Sequence, residues 1–131
     1  MSPRPQTTIR RLGPDDEAVV ERLAAPEAPH TALLADDRTV FVAAFDGDEP
    51  VGFAFGYLLP RRRREPTIFF VYEVDVAEGH RRRGIGKRLL EELLAGQGRA
   101  FVLADADNVA ANALYGSVGG TPHHGVVEWN F

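Results

Sequence analysis

One feature constrains this chain more than any other: an apolar strand pattern runs directly into a basic, glycine-punctuated loop, which opens into an amphipathic helix. Ile68, Phe69, Phe70, Val71, Tyr72, Val74 and Val76 form a β-branched and aromatic run of strand character. The loop His80-Arg81-Arg82-Arg83-Gly84-Ile85-Gly86-Lys87 follows, and then Leu89, Leu90, Leu93 and Leu94 recur at helical spacing. Glycines at 84 and 86 let the backbone turn sharply and leave no Cβ between it and a ligand. The first N–H groups of the new helix have no partner within it. With Arg81, Arg82, Arg83 and Lys87 close by, the loop is suited to a phosphate-bearing ligand.

Spacing narrows the ligand. A Walker A loop fails because Gly79 and Gly84 are followed by Ile85 rather than Lys, and a dinucleotide fingerprint fails because position 89 is Leu. What remains is Arg81-x-x-Gly84-x-Gly86, which resembles the Arg/Gln-x-x-Gly-x-Gly/Ala loop of GNAT-superfamily N-acetyltransferases. Downstream, Asn108-x-x-Ala111-x-x-Leu114-Tyr115 and Gly119-Gly120 are similar to that family's second signature. Phe41 to Asp46, Gly52 to Pro60, Val71 to Val74 and His80 to Arg82 resemble the aminoglycoside 3-N-acetyltransferase branch. The likeness runs over about residues 39–120 and weakens at 26–38 and 96–98, where a substrate wall is expected.

The resemblance implies acetyl-CoA as co-substrate, with its pyrophosphate held by Arg81, Arg82, Arg83, Gly84, Ile85, Gly86 and Lys87. It also implies pantetheine contacts from Val74 and Val76 backbone and from Asn108 and Tyr115, and a small-molecule primary amine as acceptor. The implied fold is α/β (α+β), a central mixed, mostly antiparallel sheet flanked by helices.

The local patterns independently give the order βαβββαβαβ. A strand at Thr8 to Leu12 precedes a helix opened by Gly13-Pro14-Asp15-Asp16-Glu17. Residues 26–38 read as a loop with at most one helical turn, around His30 to Leu34. Thr39 to Phe45 and Val51 to Leu59 are strands joined by the hairpin signal Asp46-Gly47-Asp48-Glu49. An arginine-rich loop spans residues 60–66. Beyond the motif helix come a strand at Phe101 to Ala104, a helix at Asn108 to Val118 and a last strand at Val126 to Phe131. At 131 residues this is a single domain over 1–131, with 1–7 as an arm.

The chain has no cysteine, which excludes disulfides, thiolate metal sites and a cysteine nucleophile. No apolar run reaches membrane-spanning length and the first residues lack a signal-peptide core, so a cytoplasmic protein without membrane association is expected. Nine of the fifteen Lys and Arg fall within residues 61–64 and 81–88, which leaves the remainder acidic at a net charge of −4. That division suits an anionic cofactor on one side and a cationic acceptor on the other. It argues against nucleic acid as a partner. Solvated surface charge is the plainer reading for Arg61 to Arg64. A monomer or a homodimer is expected.

Amine acetylation needs a base, because an alkyl ammonium is about a thousandfold protonated at pH 7, roughly 4 kcal/mol withheld from the reaction. Glu73 and Asp75 are the candidates. Strict alternation puts both on one face of the central strand with Phe69 and Val71, where two acids would be costly to bury and so line a cleft instead. Either could instead pair with an arginine of the loop. Tyr115 is the candidate acid for the departing thiolate, or a packed helix-end tyrosine. Asn108 is a pantetheine partner or a helix N-cap. Adjacent His123 and His124 point to opposite faces of a strand and cannot share one ion, and no metal site is expected. Asp36, Asp37, Asp46, Asp48, Asp105 and Glu128 complete the pool of acids for a cationic acceptor. A catalytically silent acetyl-CoA-binding module is the alternative if Glu73 and Tyr115 are both structural.

Overall fold

Residues 7–64 and 67–131 are described by a computed structural model. In chain order they form β1 (Thr7–Arg11), α1 (Glu17–Ala24), a 3-10 turn (Thr31–Ala35), β2 (Thr39–Asp46) and β3 (Glu49–Leu59). Then follow β4 (Ile68–Val76), a second 3-10 turn (Glu78–His80), α2 (Ile85–Leu94), β5 (Arg99–Val102) and α3 (Val109–Ser117). Of the arm expected over residues 1–7, only Thr7 lies within the described residues, and it opens β1. Residues 65–66 of the expected arginine loop also lie outside them.

The strands make one sheet in the order β1-β2-β3-β4-β5. Every neighbouring pair is antiparallel except β4 and β5, which run parallel. The long α2 crossover makes that parallel pairing possible, since a short hairpin cannot reverse direction twice.

Alternation along β2 sorts the core into two layers. Val42 and Ala44 join Val51, Ala54, Phe69 and Val71 beneath α2, whose Ile85, Leu89, Leu90 and Leu93 are at most 2% exposed. Each of these four helix side chains contributes on the order of 1.5–3 kcal/mol on burial, so the apolar stripe fixes α2, and the loop before it, against the sheet. Phe41, Ala43 and Phe45 point the other way, toward Leu12, Val20 and Leu34 on the α1 side.

The last strand expected from sequence, Val126 to Phe131, is not formed. Residues 121–131 enter no ladder and are exposed throughout. Alternating apolar residues suit a half-buried strand, but a strand exists only where an edge supplies its hydrogen bonds. The order among the described residues is therefore βαβββαβα, with the mixed sheet and flanking helices as expected.

Candidate active site

The site is built by an irregularity in β4. Phe55 of β3 faces Glu73, but the next residue, Gly56, faces Val71, so Tyr72 is an extra residue in the ladder. A bulge of this kind turns two successive side chains to one face. The Tyr72 ring lies 5.5 Å from Phe55 and 5.6 Å from Tyr57, on the α1 side, whereas Val74 and Val76 pack with Phe69 and Val71 under α2. Strict alternation, which grouped Glu73 and Asp75 with Phe69 and Val71, is thereby corrected. The two acids follow Tyr72 on the opposite face. Gly56 is the residue that permits this. A Cβ there would collide with the Phe70 carbonyl and lie 2.7 Å from the Phe69 ring.

The bulge coincides with the end of the β4–β5 pairing. That ladder runs only from Ile68/Arg99 to Val71/Val102. Beyond it β4 continues to Val76 with no strand paired on this side among the described residues, an opening at the edge of the ladder. In the antiparallel ladder with β3, Ala77 N–H donates to the Val51 carbonyl at 2.8 Å, which turns the Val76 and Val74 peptide groups toward the opening.

Burial raises the Glu73 carboxyl above its ordinary range, and the negative charges of Asp75 and then Glu27 push it further. Asp75 has other engagements. Its carboxylate accepts the Val76 N–H at 2.9 Å and meets the Arg81 guanidinium at 3.4 Å, while Arg81 Nε donates to the Val76 carbonyl at 2.9 Å. Asp75 and Arg81 thus tie the end of β4 to the loop, and both outward groups of Val76 are taken. His80 Nε2 and an Asp46 carboxylate oxygen, 3.0 Å apart, pin the same loop to the β2 end.

Past Arg81 the backbone alternates in hand. Arg82 and Gly84 have φ of 64° and 74°, with Arg83 between them on the negative side. Such alternation curls successive N–H groups around a concavity that attracts anions. Gly84 then caps α2 without a side-chain acceptor, and the first bond of the helix is Arg88 N–H to the Gly84 carbonyl at 3.1 Å. The N–H groups of Ile85, Gly86 and Lys87 therefore face outward at the positive end of the helix. Among the described residues Arg82, Arg83 and Lys87 form no ion pair. The arrangement fits a pyrophosphate.

On the α2 side of the sheet, Tyr115 of α3 packs against the core and is half-buried, which pushes its phenol upward and keeps it protonated at neutral pH. Asn108 caps α3, its Oδ1 accepting from Ala111 N–H at 3.1 Å, so the capping alternative describes its contact. Glu73 and Tyr115 thus belong to opposite faces of the sheet. His123 and His124 are exposed, well downstream of α3. Two surface cavities lie elsewhere, about 240 Å³ beside Leu58 to Arg64 and about 420 Å³ beside Arg11 to Pro14 and Leu34 to Thr39. No helix among the described residues is long and apolar enough to cross a membrane.

Three participants were not singled out from sequence: Tyr72, Tyr57 and Glu27. A glycine inside a strand pattern signals a bulge or a close backbone approach, so Gly56 was the available clue to the first two. Nothing in the sequence ties Glu27, a loop residue, to Glu73.

A family model described as "Acetyltransferase (GNAT) family" matches residues 8–119. The chain is 38% identical over 97 residues to the N-alpha-acetyltransferase RimI of Mycobacterium tuberculosis, covering 72% of this chain and 60% of that protein. It is 46% identical over 54 residues to the L-2,4-diaminobutyric acid acetyltransferase of Methylotuvimicrobium alcaliphilum, covering 41% of this chain and 30% of that one. The alignments span 26–60% of the length of the curated relatives matched. Among solved structures, the aminoglycoside acetyltransferase HMB0005 from an uncultured soil metagenomic sample superposes with a TM-score of 0.77 at 28% identity. That superposition covers 96% of this chain and 97% of the other.

Proposed function

The chain belongs to the acetyltransferase (GNAT) family, and from that premise we propose that it is an acetyl-CoA-dependent N-acetyltransferase acting on a primary amine of a small cationic molecule. The observation that carries the reading is the coincidence, within three residues of β4, of the Tyr72 bulge, the Glu73 carboxylate and the loss of the β5 partner. A thin ligand lying in that opening is reached by a base from one face and an acid from the other.

Acetyl-CoA, when bound, supplies the acetyl thioester. The Arg82 to Lys87 loop and the uncapped start of α2 hold its pyrophosphate, with Arg82, Arg83 and Lys87 adding charge. Val74 offers peptide groups in the opening to the extended arm. Glu73 takes the ammonium proton, which frees the nitrogen lone pair to bond to the acyl carbon as the carbon–sulfur bond breaks. Its raised pKa makes it a stronger base than an ordinary carboxylate. Tyr115 gives its proton to the departing sulfur, and the second proton that the nitrogen sheds on becoming an amide restores the phenol, directly or through solvent.

The acids around the site favour a small mono- or diamine over a polycationic aminoglycoside. Asp36 is bound by Arg38 at 3.0 Å, Asp46 by His80 at 3.0 Å, and Asp75 meets Arg81 at 3.4 Å. Glu73 and Glu27, neither in an ion pair among the described residues, face an ammonium beside the Tyr57 and Tyr72 rings, whose faces attract cations. Release of free CoA thiol, followed across alkyl diamines, amino-acid amides and aminoglycosides, tests this. Turnover with small amines exceeding that with aminoglycosides is expected. Saturable acetyl-CoA binding with no turnover of any amine would favour the silent binding module.

A further inference from the structure

The larger cavity, about 420 Å³, lies between the turn that follows β1 and the segment that leads into β2. That is the end of the sheet away from the pyrophosphate loop, which His80 pins to Asp46 at the finish of β2. Its volume is within the ~300–1,000 Å³ of small-ligand sites.

Thr39 opens β2 and sits in the cavity wall. Alternation puts its side chain on the α1 side with Phe41, toward Leu12 and Leu34, which line the cavity too. Thr39 is 7% exposed, and its Oγ1 has no hydrogen-bond partner among the described residues. Buried hydroxyls are nearly always paired, so an unpaired one in the wall of a cavity points to a ligand that pairs with it.

The charges around the hydroxyl select the ligand. Ile9 packs with the α2-side core, so alternation carries the Arg11 side chain to that face and away from Thr39. Asp36 is gripped by Arg38, whose Nε and Nη2 donate to it at 3.1 and 3.0 Å. Asp37, also in the wall, forms no ion pair among the described residues. One uncompensated carboxylate thus accompanies the hydroxyl lone pairs, and Leu12, Pro14 and Leu34 supply apolar surface. A carboxylate ligand could accept from the hydroxyl but would meet two aspartates. An ammonium brings three N–H donors and the matching charge.

We propose that this cavity is a second, non-catalytic site for a primary alkylammonium, whose nitrogen donates to Thr39 Oγ1 and the Asp37 carboxylate while its chain lies against Leu12, Pro14 and Leu34. It is separate from the acceptor side of the opening, because Thr39 is on β2 and Glu73 on β4 with β3 between them.

The test is the amide NMR spectrum of the full chain, titrated with n-hexylammonium and, separately, with hexanoate, a probe of the same length and opposite charge. Saturable shifts of the Gly13, Ala35, Asp37 and Thr39 amides are expected with millimolar n-hexylammonium and not with hexanoate. Thr39→Val and Asp37→Asn should each weaken binding about fivefold or more, as loss of a hydrogen bond does, whereas Thr39→Ser keeps the hydroxyl and should bind as the wild type. Replacing an unpaired hydroxyl by a methyl group leaves no buried polar atom behind, so Thr39→Val should melt no lower than the wild type. In Glu73→Gln the shifts should persist. Shifts that vanish in Glu73→Gln overturn the proposal, because the cavity then only reports the acceptor. An equal response to hexanoate, undiminished binding in Thr39→Val, or no shift at all, as when water alone pairs with the hydroxyl, overturns it too. If no amine is turned over while these shifts remain, the catalytic reading fails and this site stands.

Discussion

Tyr72 and Glu73 are consecutive in sequence yet sit on the same face of β4, because the ladder with β3 slips by one residue between Phe55 and Gly56. Everything proposed for the acceptor side depends on that slip. It moves Glu73 out of the α2 core and places it beside the Tyr57 and Tyr72 rings.

The slip depends in turn on the missing side chain at Gly56. A Cβ there meets the Phe70 carbonyl and the Phe69 ring, and Phe69 is only 1% exposed, so neither neighbour can yield freely. Gly56→Ala should destabilise the fold by about 1–3 kcal/mol, the usual range for overpacking. Urea denaturation measures this, and an unchanged midpoint would mean that the bulge has room to spare.

Acetyl-CoA should stabilise the protein against heat, by about 2.7 kcal/mol at a hundred times its dissociation constant. Gly84 has φ 74°, a conformation that a β-branched residue adopts only under strain. Gly84→Val should lower the melting temperature of the free protein modestly and abolish the shift with acetyl-CoA. Differential scanning fluorimetry with and without the ligand separates the two effects, and a full shift in the variant would remove the loop from the binding site.

Burial and nearby acids raise the Glu73 carboxyl above its ordinary 4.5. The folded state therefore holds this proton more tightly than the unfolded state does. The resulting destabilisation is absent below about pH 4, grows as pH rises and is complete above the folded pKa. Glu73→Gln should thus raise the melting temperature at pH 7, and the gain should vanish by about pH 4. Equal gains at both pH values would assign the effect to packing.

Removing only the hydroxyl in Tyr115→Phe keeps the ring against the α2-side core. Fold and acetyl-CoA affinity should change little while turnover falls at least about tenfold, a smaller loss than at Glu73 because a thiolate is a tolerable leaving group on its own. A donor with a more acidic thiol should recover part of the rate. Wild-type turnover would leave Tyr115 a packing residue.

The framework of the site was legible because its signals are local. The β-branched run from Ile68 to Val76, the glycines at 84 and 86 and the leucines at 89, 90 and 93 each constrain their own few residues, and these became β4, the loop and α2. The face of Glu73 was not legible. It depends on a register shift between two strands, which a period-two reading of β4 alone cannot register. Asp75 and Arg81, six residues apart, were readable as a pair, whereas the link from Glu27 to Glu73 depends on how the chain returns from α1. Val126 to Phe131 shows the converse: its pattern is that of a strand, but among the described residues no edge pairs with it.

The most direct measurement is the pH dependence of kcat/KM for wild type and Glu73→Gln with one responsive amine. If Glu73 is the base, the variant should be slower by about 10²-fold or more at pH 7, and the deficit should shrink toward pH 9.5 as the free amine rises. The same deficit at pH 7 and pH 9.5 would contradict the assignment and make Glu73 a positioning residue. Undiminished activity at pH 7 would remove it from the chemistry.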